Sequence, residues 1–163
     1  MEEALTPLEI LQKAIKSEIE AYQFYNKLQK IVENKVLEKK LNFLKNEEKK
    51  HEKLLRNVFK NQFPKQKIRL PEKGFTPLPA IDMVEKLSLE SLLEAAMEAE
   101  EVSEKFYREN SILINDENSK RLLIYLASME KSHYQIIKTE YDLLTSFTSY
   151  EAYKKFSLEH LGP

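Results

Sequence analysis

The chain has 163 residues, 42% of them hydrophobic and 33% charged, with a net charge of −1, two glycines and no cysteine. That length suits one domain with a single substantial core, and the balanced charge lacks the basic footprint that nucleic acid demands. Without cysteine there are no disulfides, thiolate zinc sites, iron–sulfur clusters or thiol chemistry, so any metal must take nitrogen and oxygen ligands.

Thr6-Pro7-Leu8-Glu9 combines an N-cap, a proline at the first helical position and a glutamate three residues after the cap, which predicts a first helix over 7–32. Asn34 then caps a second helix over 35–61, whose many Lys and Glu between Lys45 and Lys60 are expected mainly on solvated faces, apart from Glu48 and His51. The segment 62–88 contains Pro64, Pro71, Gly74, Pro77 and Pro79 and cannot be continuous helix. It reads as a long crossover, with room for a helical turn at Ala80 to Lys86. Ser88 caps a third helix over 89–114 and Asp116 a fourth over 117–146. The tail 147–163, with Tyr150, Tyr153, Phe156 and Leu161, reads as a short amphipathic helix that either caps the bundle or mediates association. Short connections make helices 1 and 2, and 3 and 4, antiparallel pairs. The expected fold is all-α: an antiparallel four-helix bundle with one long crossover and a short C-terminal helix, in a single domain over 1–163. No stretch approaches the ~18 apolar residues of a membrane span, and Met1-Glu2-Glu3-Ala4 lacks the parts of a signal peptide. No membrane association and a cytoplasmic location are therefore expected.

The helices repeat. At helical spacing the first carries Leu11, Ala14, Glu18, Ala21, Tyr25 and Leu28, and the second Leu37, Leu41, Leu44, Glu48, His51 and Leu55; an offset of 82 residues (100 − 18, 130 − 48, 133 − 51) brings up Glu100, Tyr107, Glu130 and His133 in the third and fourth. Each stripe is apolar except near its centre. Duplication of a helical hairpin is the simplest account, with Ala14 matching Ala96, Phe24 Phe106, Leu41 Leu123 and Leu44 Leu126.

A buried carboxylate without a partner costs several kcal/mol, roughly, so a stripe that places four of them inside a core must neutralise them. Residues three apart share a helix face, so Glu48 with His51, and Glu130 with His133, can each offer one oxygen and one nitrogen to a cation. Glu18 and Glu100 complete the set, and four carboxylates match the charge of two divalent ions. Carboxylate and imidazole ligands suit iron and also admit manganese or zinc. Tyr25 and Tyr107, seven residues beyond Glu18 and Glu100, return to the same face: they either donate a hydrogen bond to a ligand carboxylate or serve as core aromatics. Phe24 and Phe106 read as plain packing, and His160, outside the repeat, as a surface residue.

The segments from Glu18 to Tyr25, Glu48 to His51, Glu100 to Tyr107 and Glu130 to His133 resemble the four ligand-bearing helices of the rubrerythrins, ferritin-like proteins whose bundles hold two metals through this pattern. The resemblance spans roughly residues 8 to 144. It implies metal ligation by Glu18, Glu48, His51, Glu100, Glu130 and His133, support from Tyr25, two iron ions, and reduction of hydrogen peroxide or O2; it also implies a homodimer. Two departures stand out. There is no cysteine-rich rubredoxin-like domain, so electrons would come from a separate donor such as a rubredoxin or a reductase. Ser103 replaces a glutamate that typical members carry one turn beyond the third-helix ligand. Two alternatives therefore stand beside peroxide reduction: ferrous iron oxidation or buffering, and a metal-free or zinc-filled helical module that binds a partner protein.

Overall fold

The computed structural model describes residues 3–147 and 149–156. Four long helices, α1 (Pro7–Ile31), α2 (Lys35–Gln62), α3 (Leu89–Asn110) and α4 (Glu117–Ser146), are followed by a short α5 (Tyr150–Lys155). No strand occurs among the described residues. The four expected caps form: Thr6 and Glu9 make a reciprocal capping box, and Asn34, Ser88 and Asp116 accept from the N–H groups of Leu37, Ser91 and Ser119 at 2.9, 3.1 and 2.8 Å. Each satisfies a helix-end donor that would otherwise be orphaned. α3 stops at Asn110, four residues short of the expected end, because the Asn110 and Ser111 side chains take up the Phe106 and Arg108 carbonyls at 2.8 and 2.7 Å. A 3-10 turn, Ser111–Leu113, leads from there to the buried Ile114.

Two apolar clusters fill the two ends of the bundle. One gathers Phe24, Leu28, Leu37, Leu41, Leu93 and Ile137; the other gathers Ile10, Ile15, Leu55, Phe59, Leu123 and Leu126. The chain therefore runs from the second end to the first along α1, back along α2, and from first to second again along α3. α2 and α3 point the same way, so the segment between them has to return along the whole bundle, which is what its prolines permit. Its last part is the expected turn, a 3-10 helix at Ile81–Lys86 that buries Val84 in the first cluster.

The crossover lies against α1 and α3. The Gly74 N–H donates to both carboxylate oxygens of Glu20 at 3.1 Å, the Phe75 N–H donates to Ser17 Oγ at 2.8 Å, and the Phe75 ring stacks on Phe106 with centroids 3.8 Å apart. Gly74 is needed for this approach: a Cβ there would sit 2.2 Å from Ser17 Oγ and 2.7 Å from Ser17 Cα. The second atom is backbone and cannot turn aside. Gly74→Ala is expected to cost about 1–3 kcal/mol, as overpacking does, and to loosen the strap. Chemical denaturation, with limited proteolysis between residues 70 and 80, checks both effects.

At the first end α5 caps the bundle. Its Tyr153 ring is fully buried, and the Asn34 side-chain amide donates to the Tyr153 and Phe156 carbonyls at 2.7 and 3.2 Å. One residue thus caps the start of α2 and the end of α5. Leu161 and His160 lie outside the described residues.

Candidate metal centre

Between the two apolar clusters lies one polar layer. Glu18 from α1, Glu48 and His51 from α2, Glu100 from α3, and Glu130 and His133 from α4 are all at most 4% exposed. Helical spacing aims them inward at mid-height, and the antiparallel hairpins bring the heights into register. They form two overlapping groups in which one ligand atom per residue lies within 4.8 Å of the others: Glu18, Glu48, His51 and Glu130, and Glu48, Glu100, Glu130 and His133. Glu48 and Glu130 belong to both. Each group thus has two shared carboxylates, one carboxylate of its own and one imidazole.

Both imidazoles turn Nδ1 into the layer. His51 Nδ1 is 3.6, 3.3 and 3.4 Å from oxygens of Glu18, Glu48 and Glu130, and His133 Nδ1 is 3.0, 3.7 and 3.1 Å from oxygens of Glu48, Glu100 and Glu130. The two rings lie parallel, 5.4 Å apart. Several of these near approaches are not hydrogen bonds: His51 Nδ1 and Nε2, His133 Nε2 and Glu130 Oε2 are buried without a hydrogen-bond partner. Buried polar atoms are almost always paired. Convergent, poorly aligned oxygen and nitrogen atoms are what a pair of divalent cations would satisfy, so the donor set fits such ions.

The tyrosines cross between hairpins. The Tyr25 hydroxyl, on α1, donates to Glu100 on α3, and the Tyr107 hydroxyl, on α3, donates to Glu18 on α1. Burial, followed by the charge of the accepting glutamate, raises both phenols well above their usual range. They remain protonated donors that fix the orientation of the two unshared carboxylates. Phe24 packs in the first cluster, while Phe106 underlies the crossover.

In the protein without bound ions the carboxylates divide. Burial and then the Glu18 and Glu100 charges push Glu48 up to about 7, and burial with the Glu130 charge pushes Glu100 up to about 8. Burial, Glu48 and Glu18 raise Glu130 as well. Glu18 goes the other way: burial opposes its ionisation, but the neighbouring His51 holds it down to about 2, helped by the Tyr107 hydroxyl. Both histidines are raised although burial alone would lower them, because Glu18 and its fellow carboxylates surround His51, and Glu100, Glu130 and Glu48 surround His133. Acids crowded in a buried layer resist ionising together, and cations bound between them would remove that penalty.

On the α1/α3 side a cavity of about 10 Å3 adjoins the layer, lined by Ser17, Glu18, Glu100, Ser103 and the crossover residues Thr76 and Leu78. That is close to the smallest space that holds one water. Thr76 Oγ1 is buried there without a partner. Sequence reasoning did not find the strap, since nothing in an irregular segment says where it docks. Most charges of 45–60 outside the layer lie on solvated or half-buried faces, as expected, but Glu47 and Glu52 are 8% and 6% exposed. Glu140, seven residues beyond His133, was missed too; it is 1% exposed and pairs with Lys40. Helical spacing from the histidines was the available signal for Glu47 and Glu140.

The rubrerythrin sequence profile matches residues 9–141. The chain belongs to the rubrerythrin family. It is also similar to a solved structure, a hypothetical protein from Pyrococcus furiosus, with 35% identity and a TM-score of 0.76 over 88% of this chain and 92% of that one. No match was found among curated proteins. The matched span takes in all six polar-layer residues and both tyrosines, so this rubrerythrin has a buried carboxylate and histidine cluster compatible with a two-metal site in a ferritin-like helical bundle. No helix among the described residues is long and apolar enough to cross a membrane.

Proposed function

We propose that this rubrerythrin holds two iron ions between Glu18, Glu48, His51, Glu100, Glu130 and His133 and reduces hydrogen peroxide or O2 with electrons from a separate donor. The observation that carries the reading is the pair of overlapping four-residue groups with Glu48 and Glu130 in common. Glu48 and Glu130, common to both groups, would be shared by the two ions, while Glu18 and His51 would help hold one and Glu100 and His133 the other. Iron, when bound, supplies the reversible electron transfer that peroxide reduction needs and that zinc cannot provide.

The protein's own groups set the conditions. Tyr25 and Tyr107 keep their protons and hold Glu100 and Glu18 in place. Two apolar clusters close the layer above and below and exclude bulk water. The cavity beneath Thr76 sits beside Glu18 and Glu100 and has room for about one water. A rubredoxin or a reductase would deliver the electrons, to a protein that we expect to work as a homodimer in the cytoplasm.

Ser103, lining that cavity where typical family members carry a glutamate, favours a second reading: oxidation or buffering of ferrous iron without a repeating cycle. Anaerobic loading with Fe2+ followed by successive equivalents of peroxide separates the two. Repeated turnover with a chemical reductant is the expected result. A single oxidation with retained ferric iron supports the second reading, and a protein that takes up no iron is left as a helical interaction module.

A further inference from the structure

The two histidines present the same edge to the carboxylate layer and the same opposite edge away from it. Nδ1 of each faces the shared glutamates, and Nε2 of each is buried without a hydrogen-bond partner. One further carboxylate approaches both rings. An oxygen of Glu47, a nitrogen of His51 and a nitrogen of His133 all lie within 4.8 Å of one another. Glu47 stands four residues before His51, so it lies one turn away on the same face of α2. It is buried, and Lys50 Nζ binds its Oε1 at 2.6 Å. The repeat offers no second copy, because the equivalent position on α4 is Met129.

We infer that Glu47 is a positioning residue for both histidines at once, accepting their outward ring N–H groups and so fixing each imidazole with Nδ1 toward the metals. The inference rests on the two-metal reading above. A neutral imidazole that binds a cation through Nδ1 carries its proton on Nε2, and leaving a buried N–H unpaired costs about 1–3 kcal/mol. A carboxylate behind the ring satisfies that donor, holds the tautomer and makes the ligand more basic. Elsewhere each metal-bound histidine commonly has its own outward partner; here one glutamate serves two rings because they are stacked in parallel 5.4 Å apart. Lys50 supplies the compensating charge, which leaves the four-carboxylate balance of the inner site undisturbed.

The test is competitive titration of the metal-free protein with Co2+ against a chelator, with the visible cobalt bands read alongside. Glu47→Leu is expected to weaken both equivalents 10- to 100-fold, and Glu47→Gln, which keeps an acceptor oxygen, to recover part of the loss. The comparison is Glu52→Leu, an equally buried glutamate on α2 that pairs with Arg56 and Lys49 outside the layer; it should leave affinity and bands unchanged. Unchanged affinity in Glu47→Leu overturns the inference, as does equal weakening in the Glu47 and Glu52 variants. If the unaltered protein itself fails to bind two equivalents, the two-metal reading falls first and this inference with it.

Discussion

Loading the metal-free protein with Fe2+ under nitrogen at pH 7 is expected to raise its melting temperature by at least about 15 °C. A ligand present at a thousandfold excess over its dissociation constant stabilises by about 4 kcal/mol per site, and each kcal/mol moves the midpoint of a chain this long by roughly 2–4 °C. The pH dependence should reverse with loading. In the metal-free protein Glu48 and Glu100 are raised to about 7 and about 8, above their unfolded values, so their contribution is present at low pH and is lost as pH rises through those values. His51 and His133 are raised too and act in the same direction once pH passes their unfolded value near 6.5. Glu18, lowered to about 2, acts oppositely, but only below its unfolded value near 4.5. The metal-free midpoint therefore falls between pH 6 and 8. The loaded midpoint rises over the same interval, because metal binding requires the ligands to release protons. Scanning calorimetry at pH 6, 7 and 8, with and without metal, checks both slopes; parallel slopes would falsify the ligand assignment.

The second large effect is on stoichiometry. Glu48 and Glu130 occur in both four-residue groups, while Glu18 with His51 and Glu100 with His133 occur in one each. Replacing Glu48 or Glu130 with alanine is expected to abolish tight binding of both ions. Glu18→Ala or Glu100→Ala should remove one and leave the other within about tenfold of its normal affinity, since its own carboxylate, imidazole and shared pair are intact. Elemental analysis after desalting gives the count. Equal losses from all four variants would show that the bridging and unshared roles have been drawn wrongly. Because removing a buried carboxylate also relieves crowding, the metal-free form of Glu48→Ala should melt no lower than the unaltered protein at pH 8.

The parts legible in the sequence depend on short-range spacing. Thr6, Asn34, Ser88 and Asp116 announce helix starts because each cap bonds within three residues of itself. The six polar residues come together because a fixed pitch and a fixed repeat put them at one height, whatever the loops do. What could not be read depends on pairing across the bundle. Nothing in the spacing says that Tyr25 bonds Glu100 and Tyr107 bonds Glu18, since those partners lie 75 and 89 residues apart. Glu47 and Glu140 share a helix face with His51 and His133, but Glu52 looks like any other charge on a Lys- and Glu-rich helix until its neighbours bury it. The crossover has no period at all, so Gly74 and Phe75 gain their meaning only from Ser17, Glu20 and Phe106.

The helices of each hairpin pack closely along their length, whereas the two hairpins approach each other more sparsely. Each hairpin supplies three members of one four-residue group and lends a single carboxylate to the other: Glu130 goes to the first, Glu48 to the second. An ion seated on either side consequently acts as a clasp, fastening the duplicated halves at the waist. Stripped of its ions, the molecule would rely on the two apolar clusters and the Tyr25–Glu100 and Tyr107–Glu18 hydrogen bonds to hold its halves together.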